Sequence, residues 1–213
     1  MTETEGVIKY HLDHSNKALN ADLNLQPINA WRTILYKLGL IGQIKEKYAG
    51  LGYGNISQRF RSDSNAFLIS GTQTGHLPEL TGDDYALITA TSLAENRIMS
   101  TGLSRPSSEA LTHASIYQAK PGVQAVIHVH CPSIWLQTHA LQLPHTDADI
   151  LYGSRAMAAA VADLIQKNTS NCQIFTMLGH EDGIVSFGET LTAAAAILIE
   201  HLALAISLES SAS

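Results

Sequence analysis

Short apolar runs of strand length and longer stretches with helical spacing follow one another irregularly from about residue 28 to 206, with no internal repeat. A chain of this pattern closes its core by placing helices on both faces of a sheet, so an α/β fold of the three-layer α/β/α sandwich type is expected. The helical spacing is clearest in "PINAWRTILYKLGLIGQIKEKY". There Trp31, Ile34, Leu35, Leu38 and Ile41 recur at three- and four-residue intervals after Pro27, which predicts a helix ending near Gly39 or Gly42. Strands are expected in "NAFLIS", "DYALIT", "VQAVIHVH" and "CQIFTMLGH", and helices in "SSEALTHASIYQAK", "SRAMAAAVADLIQKN" and "GETLTAAAAILIEHLALAIS". Residues 1–25 are polar and weakly patterned, with a candidate short strand in "GVIKYHL", and read as an extension before one domain over 26–213.

Composition excludes several classes. A 213-residue chain with 45% hydrophobic residues can bury one sizeable core. No window reaches about 18 consecutive apolar residues, and the richest stretch, "LTAAAAILIEHLALAISL", contains Glu200 and His201 and reads as a packed helix rather than a membrane span. The start, "MTETEGVIKYHLDH", lacks the basic-then-apolar order of a signal or transit peptide, so a cytoplasmic location is expected. Cys131 and Cys172 form neither a disulfide framework nor a CxxC site. With a net charge of −6 and no run of Lys or Arg, no nucleic-acid partner is expected.

Three constellations carry chemistry. In "AVIHVHCPSIW" an apolar strand ends in His128 and His130. Alternate strand residues share a face, so the two imidazoles project together from Cα atoms about 6.6 Å apart and can converge on one ion. The same pair could equally cap a buried strand through hydrogen bonds. Zinc would need a third ligand, for which His180 in "TMLGHEDGIVSFG" is the candidate; Cys131 points to the opposite face. Paired histidines also open the metal sites of certain barrel hydrolases, but only 83 residues follow His130, too few for the rest of a barrel.

"RPSSEALTH" is the second. Pro106, Ser107, Ser108 and Glu109 make a good helix start, with serine as cap and a carboxylate at the positive end. The same hydroxyls and free N–H groups would suit a phosphate, with Glu109 beside it. His113, four residues on, shares its face and reads as packing rather than a ligand. Third, "GLGYGNISQRF" and "LISGTQTGHL" combine glycine turns with Asn55, Ser57, Ser70 and Gly71. Such turns can cradle phosphate, although neither matches a nucleotide fingerprint.

Taken in order, "GNIS" at 54–57, "SG" at 70–71, "PSSE" at 106–109, "AVIHVH" at 125–130, "YGS" at 152–154 and the histidine of "LGHEDG" at 180 resemble the class II aldolase and adducin head family. The resemblance spans about residues 28–206. It implies a central mixed, mainly antiparallel sheet between helix layers, and a homotetramer with active sites at subunit interfaces. It implies that His128, His130 and His180 hold a divalent metal, most often Zn2+. By the same likeness Glu109 is the catalytic acid/base, and Asn55, Ser57, Ser70, Gly71, Ser107 and Ser108 contact a small sugar-phosphate-like substrate.

The activity so implied is a metal-dependent aldehyde-lyase that makes or breaks a C–C bond in a phosphorylated ketose or related hydroxy-carbonyl compound through a metal-stabilised enediolate. A dehydratase or epimerase on the same scaffold is the enzymatic alternative, and a non-catalytic adducin-head-like interaction module the alternative from another class. Two departures bear on the substrate. Family members usually follow the third histidine with glycine, whereas Glu181 and Asp182 stand between His180 and Gly183 here, which predicts a reshaped loop. Sugar-phosphate members also carry a tail with a catalytic tyrosine beyond the closing helix. This sequence ends at "LESSAS", leaving Tyr152 or a neighbouring subunit as the candidate accessory acid.

Overall fold

The computed structural model describes residues 7–211. In chain order the elements are β1 (His11–Asn16), α1 (Gln26–Lys37), β2 (Gly42–Gln43), β3 (Gly52–Tyr53), β4 (Asn55–Arg59), β5 (Phe67–Ser70), β6 (Tyr85–Ser92) and β7 (Arg97–Gly102). There follow α2 (Ala110–Ala119), β8 (Ala125–His130), α3 (Pro132–Leu136), β9 (His145–Thr146), α4 (Arg155–Gln166), β10 (Gln173–Met177), β11 (Gly183–Gly188) and α5 (Leu191–Ser211). Nine strands form one sheet in the order β1-β7-β6-β5-β4-β8-β11-β10-β9, and β2 and β3 pair separately. Only β1–β7 and β10–β9 are parallel; every other pair in the large sheet is antiparallel.

Two apolar cores flank the sheet. One holds Leu111, Ala114 and Tyr117 of α2 and Met157, Val161 and Ile165 of α4 against Ile69, Val126 and Val185. The other holds Ile28 and Leu35 of α1, Ile134 of α3 and Leu198 of α5 against Ile56, Ile127 and Ile184. The expected three-layer sandwich with a mixed, mainly antiparallel sheet is therefore the fold. Helix α2 is buried on every side from Ala110 to Tyr117, which is why its sequence shows no polar stripe.

Several segments differ from the expectation. Residues 1–6 of the expected extension lie outside the described residues; the candidate strand in "GVIKYHL" is met only at His11 and Leu12, because the edge strand β1 is His11–Asn16, where the parallel ladder to β7 runs. "NISQR", read as a glycine-rich turn, is the inner strand β4, and "RIMSTG" and "GIVSFG" are strands β7 and β11. Helix α2 begins at Ala110 rather than at the serines, because Pro106 is held in an extended bridge to Gly71 and Ser107–Glu109 turn into the helix. Helix α5 meets the expectation of a packed helix over its first half, where Leu191, Ala194, Ala195 and Leu198 are buried. Leu204, Ile206 and Leu208 are exposed, and by length and composition alone the helix could cross a membrane.

Two buried polar groups tie the layers together. Arg32 of α1 is 1% exposed and donates to the carbonyls of Leu77, Thr74 (2.9 Å) and Gly75 (3.3 Å), pinning the loop after β5. His113 of α2 shares a 2.7 Å hydrogen bond between Nδ1 and Ser57 Oγ, which also bonds Tyr117 Oη at 2.8 Å.

Arg32→Met leaves those loop carbonyls without their donor, and a loss of about 2–4 kcal/mol is expected in urea unfolding. A midpoint equal to that of the wild type would show that the loop holds itself. Burial pushes the His113 pKa down to about 3, whereas an unfolded histidine titrates near 6.5. The unfolded chain therefore binds the extra proton, and stability falls as pH drops from 6.5 toward 3, by at most about 1.4 kcal/mol per pH unit from this group. His113→Gln is expected to make the stability-versus-pH curve shallower across that window; an unchanged slope would contradict it.

Candidate metal centre

Strand β8 is paired on both sides, to β4 and to β11, and alternates cleanly. Ala125, Ile127 and Val129 enter the α1/α3/α5 core, so His128 and His130 face the α2/α4 layer. Cys131 lies in the first of these cores, on the face expected for it. Asn55 stands beside His128 in register, and Gly54 before it has φ +75. A side chain at Gly54 would meet Ile41 Cγ1 at 2.8 Å, so only glycine lets β4 start so close to β8.

His180 arrives from the turn between β10 and β11. Its ring folds back over Gly183, where a Cβ would lie 3.0 Å from the imidazole, which explains the glycine at that place. The three rings converge: centroids are 5.2 Å apart for His128–His130, 5.0 Å for His128–His180 and 4.7 Å for His130–His180. One ring nitrogen from each can be chosen so that all lie within 4.8 Å of one another, and all three residues are buried.

This donor set fits a divalent metal. His128 Nδ1 lies 3.1 Å from the carbonyl of Ile184, which fixes the tautomer with the proton on Nδ1. His128 Nε2 is buried with no hydrogen-bond partner in the protein, the condition of a nitrogen prepared for a ligand. Burial, reinforced by His180, pushes the pKa values of His128 and His130 well below the ordinary imidazole value. The two rings are thus neutral, as metal ligation requires.

Glu109 sits at the start of α2 and is 1% exposed. The Tyr152–Gly153 turn packs against it: a Cβ on Gly153 would be 3.8 Å from Glu109 Oε1. Tyr152 itself stacks on His180, centroids 4.4 Å apart at 22°, so one short turn touches both the carboxylate and the triad. Lys9 Nζ donates to the carbonyl of Tyr152 at 3.0 Å and lies 3.8 Å from its ring centroid. Tyr10 Oη donates to the carbonyl of Ser107 at 2.8 Å. The pKa of Tyr10 is raised by burial and then by the charge of Glu109.

The expected phosphate residues separate into two groups. Asn55, Gly71, Ser107 and Ser108 line one small polar pocket with Gly52, Gly54, Thr72, Gln73, Thr74 and Gly75. Ser57 points instead into the core, where it bonds His113 and Tyr117. Ser70 Oγ accepts the N–H of Ile56, bracing β4 against β5 behind the pocket. Ser107 Oγ accepts the N–H of Glu109 at 3.2 Å, so it caps the turn before α2 rather than the helix itself. His113 is packing, as expected.

Sequence reasoning missed Tyr48 and Tyr53, whose rings lie 4.4 and 5.1 Å from His130. It also missed the pocket residues Thr72, Gln73 and Thr74. The glycine spacing of "YAGLGYG" flags a turn but does not say that two tyrosines from it reach a histidine 77 or more residues away.

Residues 43–206 match the family described as the Class II Aldolase and Adducin N-terminal domain. A methylthioribulose-1-phosphate dehydratase from Gluconacetobacter diazotrophicus is 40% identical over 77 residues, 36% of this chain, and the match spans about a third (34%) of that protein's length. Among solved structures, the L-fuculose-1-phosphate aldolase of Thermus thermophilus superposes with a TM-score of 0.62 at 18% identity, covering 86% of this chain and 91% of that one. A sugar-phosphate aldolase from Thermotoga maritima gives 0.62 at 16% identity, covering 87% and 94%. At these identities the structural likeness speaks for the fold, and the family match for the ancestry. The chain belongs to the class II aldolase and adducin N-terminal domain family.

Proposed function

We propose that this protein is a metal-dependent lyase of the class II aldolase type, acting on a small phosphorylated ketose or related hydroxy-carbonyl compound. The observation that carries the reading is one buried cluster: three converging histidines, with a carboxylate joined to them through the Tyr152–Gly153 turn. His128, His130 and His180 would hold the ion, with Zn2+ the metal best suited to three imidazoles. Bound there, a divalent cation supplies Lewis acidity that stabilises negative charge on the oxygens of the substrate.

The remaining work falls to the chain. Glu109 moves a proton to or from the carbon beside the carbonyl, acting as general base and then acid. Its burial keeps bulk water from competing for that proton. Asn55, Ser107, Ser108 and the Gly71–Gly75 loop orient the phosphate, fixing which carbon faces Glu109. Tyr152, stacked on His180, holds that ring and offers a hydroxyl for an accessory acid role.

Dehydration is the second reading, favoured by the 40% identity to a protein named as a methylthioribulose-1-phosphate dehydratase. It begins with the same proton removal by Glu109, and differs in that the resulting enediolate expels a neighbouring hydroxyl, which takes up a proton and leaves as water, instead of adding to an aldehyde to form the C–C bond. Cleavage is the reverse of that addition, with Glu109 returning the proton to the carbon. Assembly as a homotetramer is proposed on the family likeness, and the exposed Leu204, Ile206 and Leu208 of α5 would suit burial between subunits. A non-catalytic module like the adducin head has no use for a buried triad and carboxylate, so metal content separates it from both enzymes.

Purified protein is expected to carry close to one divalent ion per chain, and His128→Ala to lose it; a metal-free wild type that also fails to bind added Zn2+ would sink the enzyme readings. In D2O the protein should exchange the proton beside the carbonyl of at least one member of a panel including dihydroxyacetone phosphate and methylthioribulose 1-phosphate. Glu109→Gln is expected to slow that exchange by about 10²–10⁴-fold. Product analysis then divides C–C cleavage from loss of water, and exchange that ignores Glu109 would overturn its role.

A further inference from the structure

Three non-glycine residues with left-handed backbone, Tyr48 (φ 53), Ala49 (φ 57) and Asp182 (φ 62), belong to two segments that meet beside His130. L-residues adopt that conformation at a cost and keep it only where the surroundings impose it. What imposes it here is a contact between the two segments. Tyr48 Oη donates to Asp182 Oδ2 at 2.5 Å, and Lys47 Nζ approaches the same oxygen at 3.4 Å. The backbone carbonyl of Asp182 accepts the N–H of Cys131, the residue directly after His130, at 2.8 Å. The Tyr48 ring meets the His130 ring edge-on, centroids 4.4 Å apart.

Asp182 therefore has a double attachment. Along the chain it is two residues from His180, and across space it grips the residue after His130 and the ring that walls His130. We propose that the Tyr48–Asp182 hydrogen bond is a clasp that sets the placement of His130 relative to His180, and so governs how tightly this centre retains a divalent cation. Tyr48 and Asp182 are positioning residues, and Asp182, the second of the two residues between His180 and Gly183, supplies the acceptor. The inference rests on the three-histidine metal reading and goes beyond it by naming what holds the centre in shape.

The test is metal affinity rather than turnover. Apo protein is titrated with Zn2+ against a chromophoric chelator and, separately, with Co2+ while its visible absorption is recorded. Tyr48→Phe and Asp182→Asn are each expected to weaken Zn2+ binding by about tenfold and to change the Co2+ band. The double variant should be no weaker than the poorer single one, because both remove the same bond. Lys47→Met, which removes the longer, 3.4 Å contact of a half-exposed side chain and leaves the Tyr48–Asp182 bond in place, should stay within about twofold. Thermal unfolding of the apo proteins shows that each variant folds; Tyr48→Phe, which removes only the hydroxyl of a half-buried ring, serves if Asp182→Asn does not. Single variants within twofold of the wild type with an unchanged Co2+ spectrum, or strictly additive losses in the double variant, would overturn the clasp alone. A wild type that binds neither ion would overturn the metal reading and the clasp with it.

Discussion

The register of β8 between β4 and β11 is the constraint on which the rest of the site depends. The strand is fully buried, and its residues divide alternately between two cores. A slip of one position would turn His128 and His130 into the apolar layer of α1, α3 and α5 and push Ile127 and Val129 toward the polar pocket. Each buried Val or Ile contributes about 1.5–3 kcal/mol, so the apolar set alone opposes the slip strongly. The penalty for burying two imidazoles without partners adds to it. The candidate metal ligands His128 and His130 are thus placed by ordinary hydrophobic patterning of the residues between them.

That patterning is also why the centre was legible. The alternation in "AVIHVH" assigns both histidines to one face, and a third histidine following another apolar strand completes a cluster. The strands that escaped detection fail the same test for a physical reason. In β4 the buried positions besides Ile56 are Asn55, Ser57 and Arg59, which read as exposed because their partners are far along the chain. Arg59 is satisfied by the carbonyls of Val123 and Tyr117, and Ser57 by His113. Strand β11 lies between Gly183 and Gly188, so its sequence resembles a turn at either end. Strand β1 has little apolar content. It is held at the sheet edge by its backbone ladder to β7 and by an exposed Asp13–Arg97 ion pair, which contributes little.

In register β1 begins beside Arg97, at the opposite end of the ladder from the Asn55–His128 row. Lys9 and Tyr10, inside the candidate strand of the N-terminal extension, nevertheless reach Tyr152 and Ser107 through their side chains. No local feature of residues 7–10 announces this. The placement follows from topology, and the topology is set by pairing with a strand almost 90 residues later. The polar pocket has a similar origin, since Asn55, the Gly71–Gly75 loop and Ser107–Ser108 come from three separate connections at one end of the sheet.

The loop after His180 combines a packing rule at a glycine with a buried charge beside it. The imidazole folds over the first residue of β11, so that residue must lack a side chain, and Gly183 meets the requirement. Glu181 and Asp182 stand between the histidine and this glycine, and the backbone at Asp182 is left-handed (φ 62). Aspartate is among the side chains that tolerate that backbone best. Once there, its carboxylate is buried, at 5% exposure, and must find donors. Tyr48 and Lys47 provide them, drawing the 47–50 turn against His130. The left-handed turn at Asp182 thereby places a charge, and that charge in turn draws in the outer wall of the histidine cluster.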